Sequence, residues 1–194
     1  MELKNFNPED LKIKPNQHFI AIIKLLPKNH PDQQLDYVRF DKISKDWSKH
    51  LKNHRIKKNL PINPHKIGLI ICDDSIKAKK FHKNLQKELP LTQIMTFPVS
   101  TTKPDSVTTI ANTIKKINQA NSVDLLIVLK DKDELANLWL LNQREIIEKT
   151  SKTQIPLITF ISRLKDYTLL DEIADFSAAN YKEIMDAIVY KETF

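Results

Sequence analysis

Four apolar runs dominate the chain from Lys66 onward: IGLIIC (67–72), LTQIMTFPV (91–99), DLLIVL (124–129) and IPLITFI (155–161). Nearly continuous Ile, Leu and Val over six or seven residues is the pattern of a strand buried on both faces, as in parallel sheets, rather than the alternation of a half-solvated one. Helical periodicity follows each run, over about 75–89, 104–120, 133–150 and 168–178, with a last helix near 180–190. Four βα units joined by short connections predict an α/β fold: a parallel sheet of about four strands with helices on both faces and right-handed crossovers. Ligands of such sheets collect beyond the carboxyl ends of the strands. The residues at those ends are Cys72-Asp73-Asp74-Ser75, Ser100-Thr101-Thr102-Lys103, Lys130-Asp131-Lys132-Asp133 and Ser162-Arg163-Leu164-Lys165-Asp166.

One count constrains what those loops can bind. The 194 residues contain a single glycine, Gly68, where average usage would give roughly 14. Phosphate-binding loops and dinucleotide fingerprints need backbone that approaches phosphate with no Cβ in the way, so both are excluded. The single cysteine, Cys72, forbids an internal disulfide and leaves no cysteine-rich zinc site. With no apolar run near the ~20 residues of a membrane span, and no basic-then-apolar leader in MELKNFNPED, a cytoplasmic protein that does not enter a membrane is expected.

The first third of the chain differs in character. Residues 17–26 (QHFIAIIKLL) and 33–40 (QQLDYVRF) read as two strands joined by a proline-bounded turn. Ile43, Trp47 and Leu51 recur every four residues, predicting a short amphipathic helix. Pro61 and Pro64 then break KKNLPINPHK, so a boundary is expected near 60–66, between a basic segment (1–63) and the α/β domain (64–194). Residues 1–66 carry 14 Lys/Arg against 7 Asp/Glu, leaving 17 against 17 for the rest; the whole formal charge of +7 therefore resides in the first third of the chain, residues 1–66. A basic stripe draws in nucleic acid by counterion release and is also an ordinary solvated face. The candidates for tracking phosphates are Lys42, Lys45, Lys49, Lys52, Arg55, Lys57 and Lys58.

Three segments, PHKIGLIICDDSIKAKKF (64–81), DLLIVLKDKDELANLWLLN (124–142) and IPLITFISRLKDYTLLDEIADF (155–176), carry a family resemblance. They resemble the patterns P-x-x-I-G-V-I-T-S-x-x-G-A-A-x-x-D, D-x-L-I-V-G-R-G-G-G-S-x-E-D-L-W-x-F-N and I-P-V-x-S-A-V-G-H-E-T-D-x-T-I-x-D-x-V-A-D of the exonuclease VII large subunit, whose family degrades single-stranded DNA. Ile67, Gly68, Leu138, Trp139, Asn142, Ile155, Pro156, Asp166, Thr168, Asp171, Ala174 and Asp175 coincide with pattern residues. Residues 15–60 resemble, more loosely, the last strands of that family's oligonucleotide-binding fold and the helix after it.

The resemblance implies four catalytic positions, and the chain departs from three. The aspartate after the first strand becomes Lys80, the arginine of the glycine-rich turn becomes Lys130, the histidine of G-H-E-T-D becomes Arg163, and only the last aspartate remains, as Asp166. Phosphodiester cleavage needs a group that moves protons and donors aimed at the pentavalent phosphorus. Arginine stays protonated and cannot shuttle, and lysine lacks the bidentate fork with which arginine grips phosphate. A catalytically degenerate relative that contacts single-stranded DNA is therefore expected, with no cofactor and no metal. The family's long helical segment for docking small subunits does not follow here, so partnership with the small subunit is not expected.

Other assignments compete. Asp73, Asp74, Asp131, Asp133 and Asp166 could together hold Mg²⁺ or Mn²⁺, or serve as first-turn acids and caps. Cys72 could be a nucleophile or a buried small residue, with no histidine spaced to activate it. His50 and His54 form an i, i+4 pair lacking a third ligand. Trp47 and Trp139 suit base stacking or core packing. A non-catalytic interaction module and an active nuclease working through Asp166, Lys130, Lys80 and Arg163 are the two alternatives in function.

Overall fold

The computed structural model describes residues 57–73, 75–130, 139–161 and 168–189. The strands and helix expected upstream, over 17–52, lie outside the described residues. So do Trp47, the His50/His54 pair and the candidates Lys42, Lys45, Lys49, Lys52 and Arg55.

The chain from Lys66 onward alternates as its apolar runs dictate: β1 (Lys66–Cys72), α1 (Ile76–Glu88), β2 (Gln93–Val99), α2 (Ser106–Ala120), β3 (Leu125–Lys130), a 3-10 turn (Trp139–Asn142), α3 (Arg144–Ser151), β4 (Leu157–Ile161), α4 (Leu169–Ile173), β5 (Phe176–Ser177) and α5 (Tyr181–Ile188). All strand pairs are parallel, in the order β2-β1-β3-β4-β5. This is the doubly wound order of flavodoxin-like sheets, in which the chain reverses its direction of travel between β1 and β3.

Side-chain alternation along the strands builds two cores. Ile67, Leu69 and Ile71 of β1 join Leu125, Ile127 and Leu129 of β3 beneath α1 and α5, where Ala78, Phe81, Leu85, Ile184 and Ile188 are buried. Ile70, Cys72, Leu126 and Val128 face the other way, onto α2, α3 and α4, through Ile110, Ile114, Ile146, Ile147, Leu170 and Ile173. Every residue of β3 is buried, which is why its sequence shows no polar alternation. A Cβ on Gly68 would come within 3.2 Å of Leu126 Cδ1 and 3.4 Å of Val123 Cγ2. The lone glycine thus allows β1 to close against its neighbour.

Two elements differ from expectation. Of the helix expected over 133–150, residues 133–138 lie outside the described ones; Trp139–Asn142 form the 3-10 turn, Gln143 is extended (φ −69°, ψ 136°), and α3 starts only at Arg144. The Asn142 carboxamide at this break accepts the Leu169 amide at 2.6 Å, tying the turn to the start of α4. The helix expected over 168–178 stops at Ile173, because Asp175 is drawn to β4: its amide donates to Leu157 O at 2.9 Å, and its carboxylate accepts the Leu157 amide at 2.7 Å. The chain then runs parallel to β4 as β5, making five strands where about four were expected.

Among the described residues, strand β2 forms one edge of the sheet. The Gln93 amide donates to His65 O and Val99 O accepts from Asp73, so odd-numbered residues of β2 bond to β1. Backbone groups of Ile94, Thr96 and Pro98 therefore point outward, and proline falls where its missing N–H costs no ladder bond.

Residues 57–65 lie along the amino edge of the sheet. Lys58 N donates to Asp175 Oδ1 at 2.8 Å, Asn63 N to Ile188 O at 2.7 Å, and Thr92 Oγ1 to Pro64 O at 2.7 Å. No described helix is long and apolar enough to cross a membrane.

Candidate functional site

The reversal between β1 and β3 opens the carboxyl edge at one place, and there the register aligns Cys72 with both Val99 of β2 and Lys130 of β3. Asp73, the next residue, leaves β1 in the left-handed region (φ 68°), a conformation that aspartate tolerates better than most residues. Its carboxylate consequently turns back across the edge instead of capping α1, a task that falls to Ser75, whose Oγ accepts the Ala78 amide at 3.0 Å. Asp73 Oδ1 accepts the Thr101 amide at 2.8 Å, and Oδ2 accepts both the Thr101 hydroxyl and the Lys130 ammonium, the latter at 3.0 Å. The loop that delivers Thr101 is braced by Ser106, whose Oγ accepts the Lys103 amide at 3.0 Å and donates to Lys103 O at 2.6 Å.

Burial works to raise the Asp73 pKa, but the Thr101 hydroxyl, the Thr101 amide and the Lys130 ammonium together outweigh it and hold the carboxyl below its ordinary value. Lys130 is fully buried, with 0% exposure, and its partner's side chain is only 10% exposed. A lysine is tolerated at such depth when it is paired and hydrogen-bonded. Cys72 beside them is fully buried; desolvation pushes its thiol up to about 12, more than Lys130 offsets, while Asp73 adds to the rise. The protonated thiol is a poor nucleophile, and the residue serves as a small core side chain. An Asp73 carboxyl shifted downward, with its oxygens engaged, is likewise a weak proton acceptor near neutrality.

The other described candidates, Lys80, Lys57 and Lys58, lie elsewhere. Lys80 is exposed on α1, whose buried face covers the opposite side of the sheet from that taken by Cys72 and Lys130. Arg163 and Asp166 lie outside the described residues, as do Asp74, Asp131 and Asp133. Among the described residues no three His, Cys, Asp or Glu side chains gather closely enough to hold a metal ion. Lys57 is exposed. The Lys58 ammonium lies 3.1 Å from Asp175 Oδ2, at the amino edge of the sheet. Lys130 is the last of the six residues of β3, about 17 Å from the strand's first residue at ~3.3 Å per residue. Thr101 and Asp175 were not singled out as site residues in the sequence; a hydroxyl at a strand's carboxyl end was the only signal for Thr101.

The shared pattern residues hold the fold together. Asn142 receives the Leu169 amide; Thr168 and Asp171 form a reciprocal capping box on α4; Asp175 bonds β4 and Lys58.

A protein-family model described as "Exonuclease VII, large subunit" matches residues 51–180. The "Exodeoxyribonuclease 7 large subunit" of Lactococcus lactis is 26% identical over 143 residues, covering 73% of this chain and 34% of that protein. Its counterpart in Rickettsia bellii is 30% identical over 125 residues, covering 63% and 28%. In Limosilactobacillus reuteri the figures are 23% over 143 residues, 74% and 32%. The chain thus spans about a third of the length of these curated relatives.

Proposed function

The chain belongs to the exonuclease VII large-subunit family, and from that premise we propose that it is a catalytically degenerate member that keeps the scaffold and contacts single-stranded nucleic acid through its basic residues 42–66. The observation that carries the first half is the state of Lys130. By resemblance this position belongs to an arginine that grips phosphate. Here the cation is fully buried and bound to an internal carboxylate, so no charge is presented to a diester. Lys80, at a second catalytic position, is exposed on α1, which packs on the opposite face of the sheet. The shared residues that the structure describes do structural work, which accords with a fold that outlived its chemistry.

The test has two parts. The purified protein, with and without divalent cations, is expected to leave labelled single-stranded DNA intact; cleavage that disappears in Asp166→Ala would overturn the degenerate reading. Binding to the same DNA across a salt series is expected to weaken with a log–log slope of about −0.7 per phosphate neutralised. Absence of binding at low salt would favour the second reading, a protein-interaction module without nucleic acid. Engagement of the Lys58 ammonium with Asp175 favours that second reading, since it draws one candidate cation inward.

A further inference from the structure

Helix α1 carries a charge pattern that its own stability does not account for. Lys77, Lys79, Lys80, Lys83 and Lys87 are all exposed, and the helix's one acid, Glu88, is its last residue. The first turn holds no acid, and three of the lysines fall within the first five residues, towards the positive end of the helix dipole. Lys79/Lys83 and Lys83/Lys87 are like-charged i, i+4 neighbours, which oppose helix formation. On α3, by contrast, Arg144 is matched to Glu148 at 2.7 Å. Helix α1 leaves 12 Lys/Arg against 16 Asp/Glu for the rest of residues 67–194, so the positive charge of the domain is gathered there. Lys79, Lys83 and Lys87 form a ridge about 12 Å long at ~1.5 Å per residue, on the side away from the buried Ala78, Phe81 and Leu85.

The composition of the ridge selects its partner. Protein interfaces are rich in aromatic residues, Met and Arg and poor in Lys, the opposite of what α1 presents. A row of lysines matches a phosphate backbone, which it neutralises with release of counterions. With no aromatic side chain on the ridge to stack a base, it has no means of telling unpaired strands from paired ones. We propose that the outer face of α1 is a nucleic-acid surface that tracks phosphates and accepts duplex as readily as single strands. This goes beyond the functional reading above, which assigns single strands to residues 42–66 and gives the α1 lysines no part in binding.

Labelled duplex and single-stranded DNA of equal length, titrated across a salt series into the full chain, test it. Three proteins are compared: wild type, Lys79→Gln/Lys83→Gln/Lys87→Gln, and a control that removes the same charge from exposed lysines on the other face of the sheet, Lys115→Gln/Lys116→Gln/Lys152→Gln. Wild type is expected to bind both probes. The α1 variant is expected to lose about tenfold or more in affinity for each at low salt, with its log–log salt slope for duplex flattened by about 2–3, roughly one unit per lysine removed. The control is expected to keep the wild-type slope. An α1 variant that binds duplex like wild type overturns the proposal, as does a control that loses as much, or a wild type that binds no duplex at low salt. Lys79→Arg/Lys83→Arg/Lys87→Arg retains the charge and is expected to bind like wild type; a loss there overturns the proposal too. Displacement of duplex by poly-glutamate as effective as by DNA would point to an acidic protein partner and likewise overturn it. Single-strand binding lost only in Lys42→Gln/Lys45→Gln/Lys49→Gln/Lys52→Gln, with the α1 variant unaffected, sinks this proposal and upholds the reading above; loss only in the α1 variant does the reverse.

Discussion

Lys130 Nζ lies 3.0 Å from Asp73 Oδ2, joining residues 57 positions apart in the chain where two neighbouring strands end. Loss of either group costs the other a charged partner in a buried setting, since Lys130 is wholly buried and the Asp73 side chain nearly so. Lys130→Met is expected to destabilise the domain by about 3 kcal/mol, the low end of the cost of breaking a buried pair, because the Thr101 amide and hydroxyl still serve the Asp73 carboxylate. Adding Asp73→Asn should restore more than half of that loss. Urea unfolding of the two single variants and the double variant measures the coupling; additive losses would contradict it.

The depressed Asp73 pKa fixes the sign of a pH effect. A carboxyl that is more acidic in the folded state contributes stability above its unfolded pKa of about 3.9, and that stability disappears as the pH falls through the lower folded value. Wild type should therefore lose stability below about pH 4 more steeply than Asp73→Asn. Urea midpoints at a series of acidic pH values test this, and parallel curves would refute it.

Cys72 should resist thiol reagents. Its pKa, raised by burial from 9.0 to about 12, leaves almost no thiolate at neutral pH, and the side chain is out of reach. Labelling with a chromogenic disulfide should be negligible in the native protein and complete in urea. The raised value also means that stability falls as the pH climbs from 9 towards 12, because the unfolded thiol ionises first. Rapid native labelling would contradict the assignment.

Asp175 secures the segment before β1. Asp175→Ala should cost about 2–4 kcal/mol, since the Leu157 and Lys58 amides both lose a charged acceptor. Lys58→Ala should cost about 1 kcal/mol or less, because that side chain is partly solvated. Trypsin cleavage at Lys57 and Lys58 should accelerate far more in Asp175→Ala than in the wild type, and an unchanged rate would argue against the tether.

Strands β1 and β3 were legible because burial on both faces leaves an unmistakable apolar run; β2 was expected to be buried in the same way and is instead mostly exposed or half-buried at the sheet's edge. Helices α1 and α2 were legible for the related reason that each presents one apolar stripe. Strand β5 was not: two residues, Phe176 and Ser177, carry no period, and they pair with β4 because Asp175 is held there by bonds to Leu157. The break at Gln143 was hidden for the same reason, as it depends on the Asn142 carboxamide reaching Leu169 across 27 positions. For the candidate site, the sequence placed Asp73, Thr101 and Lys130 at strand ends. Only the strand order made them neighbours, and only a left-handed Asp73 turned its carboxylate inward.

Pro98 bears on how copies of this chain can meet. A foreign strand laid against β2 would find acceptors along its whole length, but no donor beside Pro98, close to the end that leads into the Thr101 loop. Any sideways growth of sheet upon sheet would be one link short there. A single imino acid on the rim thereby guards a sticky flank against runaway fibre formation.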